Sequence, residues 1–106
     1  MSVYRGFVSD IFHAAQKIAL EVAERMSPRV VESSFDDSDD CPFVMYMFET
    51  PEEQRAAEAS YICTLLRALT LGHLENLGCP RSLHSRVEVR ILNRIDHPEH
   101  ACWADR

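Results

Sequence analysis

The chain has 106 residues, 46% apolar and 26% charged, and seventeen acids against eleven lysines and arginines give a formal charge of −6. That length and composition suit one globular domain with its own core and exclude a disordered chain. The acidic balance excludes direct, non-specific nucleic-acid binding, which needs a basic footprint. No apolar run approaches the roughly 18 residues of a membrane span.

The first helix is expected over residues 9–26. Ile11, Ala15, Ile18, Val22 and Met26 fall on one stripe, and Phe12, Ala19 and Ala23 widen it. Val3 and Phe7 continue the stripe backwards towards Ser2. Ser27-Pro28 ends the helix, because a residue before proline avoids helical geometry. Arg29 to Phe35 then predicts a strand, with Val31, Ser33 and Phe35 on one face. Asp36 to Cys41, followed by Pro42, predicts a polar turn. Phe43 to Phe48 is apolar at every position, as a central strand covered on both faces would be.

Thr50-Pro51-Glu52-Glu53 joins an N-cap threonine, a proline at the first helical position and a glutamate three residues past the cap. One long helix is expected from there to about Leu77, with Ala59, Ile62, Leu66, Leu69, His73 and Leu77 at helical spacing. Gly78 stands where a left-handed cap belongs, and Pro80 prevents continuation. Arg86 to Ile91 alternates, with Val87, Val89 and Ile91 on one face and Arg86, Glu88 and Arg90 on the other.

The element order α-β-β-α-β predicts an α+β fold. The first two strands form an antiparallel hairpin, and the helical crossover makes the third parallel to the second. A crossover that skips one position predicts strand order 2-1-3, with both helices on one face. Residues 1–95 form the single domain in this reading, and 96–106 a histidine-rich C-terminal tail. Met1 to Gly6 carry no apolar signal core, so the expected location is the cytoplasm. Cys41, Cys63, Cys79 and Cys102 form no Cys-x-x-Cys pair and are expected to be reduced thiols.

No pattern points to catalysis. With only Gly6, Gly72 and Gly78, the chain has no glycine-rich phosphate loop and no Gly-x-Ser-x-Gly elbow. Cys63 falls among apolar neighbours and predicts core. Cys41 sits beside four aspartates, a setting unsuited to nucleophilic chemistry. The aspartates themselves fail the EF-hand pattern, which counted from Asp36 places Cys41 and Met47 where glycine and glutamate are needed. His73 interrupts an apolar stripe and predicts a partly buried, hydrogen-bonded side chain. The alternative zinc reading draws ligands from Cys79, His84, His97, His100 and Cys102, whose spacing matches no standard zinc motif. No cofactor is expected.

The remaining signal is charge. Asp36, Asp37, Asp39 and Asp40 place four carboxylates in five residues, more than a turn requires. Glu32, Glu49, Glu52 and Glu53 extend that field if the fold brings them to the same side. The expectation is a non-catalytic, acidic interaction module. Its partner would be a protein with a basic surface, such as one that holds nucleic acid, and it would act as an inhibitor or adaptor. In size, charge and lack of a catalytic motif the chain resembles, in general character, the small acidic inhibitors of phages and mobile elements, anti-CRISPR proteins among them. A structural homo-oligomer that buries the outer face of the third strand is the other alternative.

Overall fold

The computed structural model describes residues 2–97, with side chains from Phe7 onward. Helix α1 spans Ser2–Ala23. Its buried face is Val8, Ile11, Phe12, Ala15, Ala19 and Ala23, rotated from the expected stripe so that Val22 stays exposed. The run Ile11, Ala15, Ala19, Ala23 keeps strict four-residue spacing, and its small side chains suit the close packing of α1 on the third helix.

Strands β1 (Glu32–Asp36) and β2 (Phe43–Phe48) form the expected antiparallel hairpin, with Glu32 opposite Met47 and Asp36 opposite Phe43. β1 begins later than the sequence pattern suggests, and Asp36 belongs to it rather than to the turn. β3 (Glu88–Asn93) pairs parallel to β2, with Phe43 beside Glu88 and Phe48 beside Asn93.

The α+β class holds, but the sheet order is β1-β2-β3, which corrects the expected 2-1-3. The physical reason lies in the two hairpin strands. All six residues of β2 are buried, as a central strand requires. β1 carries Glu32, Ser33, Ser34 and Asp36 on its two faces and is only half-buried throughout. A strand so polar is stable at an edge and costly in the middle.

The expected single long helix is two. α2 (Pro51–Ala59) starts at the Thr50 cap, whose hydroxyl accepts the Glu53 N–H at 3.1 Å. Its chain breaks at Ser60, which adopts an extended backbone. The Ser60 hydroxyl donates to the Ala57 carbonyl (3.1 Å) and accepts the Ile62 N–H (3.4 Å), serving the ends of both helices. α3 (Ile62–Asn76) then buries Ile62, Cys63, Leu66, Thr70 and Leu74, while Ala59 lies exposed and Ala57 takes its place in the core. Gly78 has φ of +95°, the Cys79 N–H bonds the Leu74 carbonyl and the Gly78 N–H that of Glu75. This is the Schellman end that the glycine predicted. A short helix, α4 (Arg81–His84), precedes β3 and has no counterpart in the sequence reading.

One core cluster joins the helices to Val44, Tyr46, Phe48 and Ile91. Phe43, Met45 and Met47 make a second cluster on the opposite side of the sheet, with Leu92 against them. Inside the main core the Tyr46 hydroxyl lies 2.6 Å from Thr70 Oγ1, so both polar atoms are satisfied. No described helix is long and apolar enough to cross a membrane.

Candidate functional site

The hairpin turn 37–42 projects from the end of the sheet where β3 begins. Asp36 Oδ1 accepts the Ser38 N–H at 2.8 Å, an Asx turn that starts the reversal. The Cys41 N–H bonds the Ser38 hydroxyl at 3.4 Å. Pro42 is buried, and its carbonyl accepts the Glu88 N–H at 3.1 Å.

Two arginines hold the turn against β3. Arg86 donates to the Asp39 carbonyl. Arg90 Nη2 lies 3.1 Å from Cys41 Sγ, its Nε donates to Glu88 at 2.9 Å, and its guanidinium stands 4.1 Å from the centre of the Phe43 ring. Desolvation pulls the Arg90 pKa down, but the bonds to Glu88 and Cys41 and the charge beside them together outweigh it and raise the pKa, so its charge is fixed at any working pH. Arg86 Nε also donates to the Ser82 carbonyl at 3.2 Å, so these cations spend their contacts on two carbonyls, a thiol, a ring and Glu88. Asp39 and Asp40 stay exposed, and among the described residues neither carboxylate is ion-paired.

The eight acids named from sequence do not form one field. Glu32 lies at the far end of β1, about 14 Å from Asp36 at strand rise. Glu49 follows β2 at that same far end, and Glu52 and Glu53 sit in the first turn of α2 beyond it. Arg94 binds both Glu32 (3.2 Å) and Glu49 (3.4 Å), and Arg55 lies 3.7 Å from Glu52. Glu53 and Glu52 face the helix N-terminus, where a negative charge is locally favourable. The condition for a joint field therefore fails, and the aspartates stand as a separate group.

The far end of the sheet instead carries a structural polar network. Asn93, 1% exposed, donates to Gln54 Oε1 (2.6 Å) and Asp96 Oδ2 (2.9 Å) and accepts the Asp96 N–H (2.7 Å). Gln54 Nε2 donates to the Ile91 carbonyl at 3.1 Å, so α2 covers part of the outer edge of β3.

Of the alternative zinc ligands, His100 and Cys102 lie outside the described residues. Cys79 and His84 line one pocket with Glu75 and Arg81. His84 Nε2 donates to the Leu71 carbonyl at 2.8 Å, which leaves Nδ1 as the ring acceptor. Burial pushes the Cys79 thiol up, which works against the thiolate that zinc needs. β3 separates His84 from His97 by about 17 Å of strand, so those two histidines do not share a centre. Among the described residues no three histidine, cysteine or acidic side chains converge as a metal site. Cys63 is buried on α3, as its apolar neighbours predicted, and its thiol is likewise raised by burial. His73 is half-buried in the last turn of α3.

Sequence reasoning missed the arginine braces. The alternation of Arg86, Glu88 and Arg90 marked a charged face, but only the adjacency of β3 to β2 places that face beside the turn. No family model matches the chain, and no curated protein or solved structure matches it either.

Proposed function

We propose that this protein is a non-catalytic, acidic interaction module of the cytoplasm that docks its 36–40 turn on a basic protein surface and so inhibits or adapts that partner. The observation that carries the reading is the way the turn is held. Arg86 bonds a turn carbonyl and Arg90 a turn thiol, while the Asp39 and Asp40 carboxylates face solvent. A turn whose backbone is braced and whose charges are left exposed presents them at low ordering cost. Carboxylates so arranged steer association and match the guanidinium and ammonium groups of a surface that otherwise binds phosphates. The net charge of −6 supports this choice of partner over nucleic acid itself.

The test replaces Asp36, Asp37, Asp39 and Asp40 together with asparagine. The Asp36→Asn change keeps a side-chain oxygen that can accept the Ser38 N–H, so circular dichroism should be unchanged. The partner is retrieved with the wild-type chain from extract of the source cells. Its affinity is then measured with both forms at low and high salt, and displacement of nucleic acid from it is followed. The variant should bind more weakly with a shallower salt dependence, since steering is screened over about 8 Å at physiological ionic strength. Equal affinity and equal salt slope in a folded variant overturn the reading.

A further inference from the structure

The sheet has two edges, and they differ. On β3, Gln54 Nε2 of α2 donates to the Ile91 carbonyl at 3.1 Å and covers part of that edge. β1 pairs only with β2, and among the described residues no hydrogen bond reaches the backbone of 32–36 from its other side. An uncovered edge presents a row of backbone donors and acceptors, a template for a further strand. Proteins commonly blunt such an edge with proline or lysine, and Glu32–Asp36 contains neither.

A groove runs along the same edge. α1 crosses the inner face of β1, with the Phe12 ring 5.7 Å from that of Phe35 and Gln16 Nε2 donating to Ser33 Oγ at 2.7 Å. Next to Gln16 lies a hollow of about 310 Å³, lined by Gln16, Leu20, Val30, Val31, Glu32 and Ser33. Glu32 and Ser33 point to opposite faces of the strand. No residue of β2 lines the hollow, so it opens at the free edge of β1. A second hollow of about 240 Å³ shares Leu20 and Val30 and prolongs the groove past Lys17, Glu21, Glu24 and Arg29. Leu20 and Val30 are half-buried and Val31 is 41% exposed, which makes an apolar floor beside the uncovered strand.

We propose that the free edge of β1 is a docking site for an extended protein segment of alternating basic and apolar residues, which joins the sheet as a further strand. Successive side chains of such a segment point to opposite faces. Those on the inner side enter the groove against Leu20, Val30 and Val31. Those on the outer side lie beside Glu32, Ser34 and Asp36, where an opposite charge stabilises a cross-strand pair. The surroundings select the sign. Glu21, Glu24, Glu32 and Asp36 stand around edge and groove against Lys17 and Arg29. Arg94 already meets Glu32 at 3.2 Å, whereas Glu21, Glu24 and Asp36 enter no ion pair among the described residues. A second copy does not fit this edge. Antiparallel pairing of two β1 strands about Ser34 sets Glu32 of each opposite Asp36 of the other, and like charges directly opposite are destabilising.

This site is separate from the docking of the acidic turn, and Asp39 and Asp40 take no part in it. The probe is a fluorescein-labelled peptide, Lys-Val-Arg-Val-Lys-Val-Arg, added to the full chain. It should bind saturably and slow amide hydrogen exchange, read by NMR, within residues 32–36. The same residues in the order Lys-Lys-Arg-Arg-Val-Val-Val keep the charge and lose the alternation, and should bind about tenfold more weakly. Val31→Lys, at an exposed position, puts a cation in the groove and should also weaken binding about tenfold. Asp39→Asn combined with Asp40→Asn should bind the peptide nearly as the wild type does. Absence of saturable binding overturns the proposal, as do equal affinity for the reordered peptide and unchanged affinity in a folded Val31→Lys variant. Loss of binding confined to the Asp39 and Asp40 double variant assigns the peptide to the turn and overturns it too. Slow exchange along the whole of β1 in the free chain means that the edge is already covered, by a second copy where it fades on dilution, and has the same consequence. Should Val31→Lys fail to fold, the two peptides and the exchange map decide.

Discussion

Tyr46 offers a direct measure of how dry the core is. Its ring is fully buried on the central strand, and its hydroxyl meets Thr70 Oγ1 at 2.6 Å. Burial disfavours the phenolate and pushes the Tyr46 pKa up to about 12 from an ordinary 10, more than the Thr70 bond pulls it down. The folded pKa lies above the unfolded one, so in alkali the unfolded chain sheds its proton first. The Tyr46 contribution is therefore complete below pH 10 and is lost as the pH climbs towards 12. One pKa unit corresponds to about 1.4 kcal/mol, so the loss should be about 1.4 kcal/mol near pH 11 and approach about 2.7 kcal/mol above pH 12. Tyr46→Phe removes the titration, but at neutral pH it costs the hydrogen bond and strands Thr70, about 1–2 kcal/mol. The two stability curves should thus start apart at pH 7 and meet near pH 11. Cys63 and Cys79, whose thiols are also raised by burial, destabilise both proteins alike in alkali and cancel in the comparison. Urea unfolding of both proteins from pH 7 to pH 11, with phenolate absorbance as a second reading, makes the measurement. Parallel curves would refute the reasoning, because they would mean that Tyr46 ionises as freely in the folded core as in water.

Asn93→Ala removes the hub between β3, Gln54 and Asp96 and leaves Gln54 Oε1 without its donor, so urea unfolding should report a loss of about 2–3 kcal/mol. Gly78→Ala meets only the Phe7 ring at 3.8 Å, an ordinary contact, so any loss comes from the positive φ of 95°. It should amount to about 1 kcal/mol in thermal or urea melts, and an unchanged midpoint would show that α3 can end another way.

The elements were legible where pattern and chemistry agreed. The Thr50-Pro51 start of α2 and the Gly78 end of α3 combine a backbone requirement with the residue types that meet it. The break at Ser60 was hidden, because the apolar residues on either side keep helical spacing and only a side-chain hydroxyl marks the interruption. The rotation of the α1 stripe was hidden for a related reason. Ile18 and Val22 look more apolar than Ala19 and Ala23, but the interface with α3 rewards small size over hydropathy. At the candidate site the carboxylates were visible and their grouping was not. Glu32 and Asp36 are four residues apart in the chain, yet an extended strand puts them at opposite ends of the sheet. Arg94 could not be assigned to Glu32 from sequence, since 62 residues separate them.

The strand order decides what the acidic turn can be. Had β3 paired with β1, as order 2-1-3 required, its first residues would have lain beside the outgoing arm of the hairpin. In the order β1-β2-β3, β3 starts alongside Phe43, at the foot of the returning arm. Pro42 then closes the junction through its carbonyl to Glu88, and Arg86 and Arg90 reach the Asp39 carbonyl and Cys41 directly. The same contacts that tie three segments of chain together also direct the donors of Arg86 and Arg90 to groups other than the Asp39 and Asp40 carboxylates. An apolar central strand thus fixes the sheet order, the sheet order delivers the arginines, and the arginines hold the turn while leaving those two carboxylates to the solvent. Loosening the brace should then act on binding without touching the acids themselves, because a turn released from Arg86 and Arg90 keeps its charge but must be ordered again on each encounter.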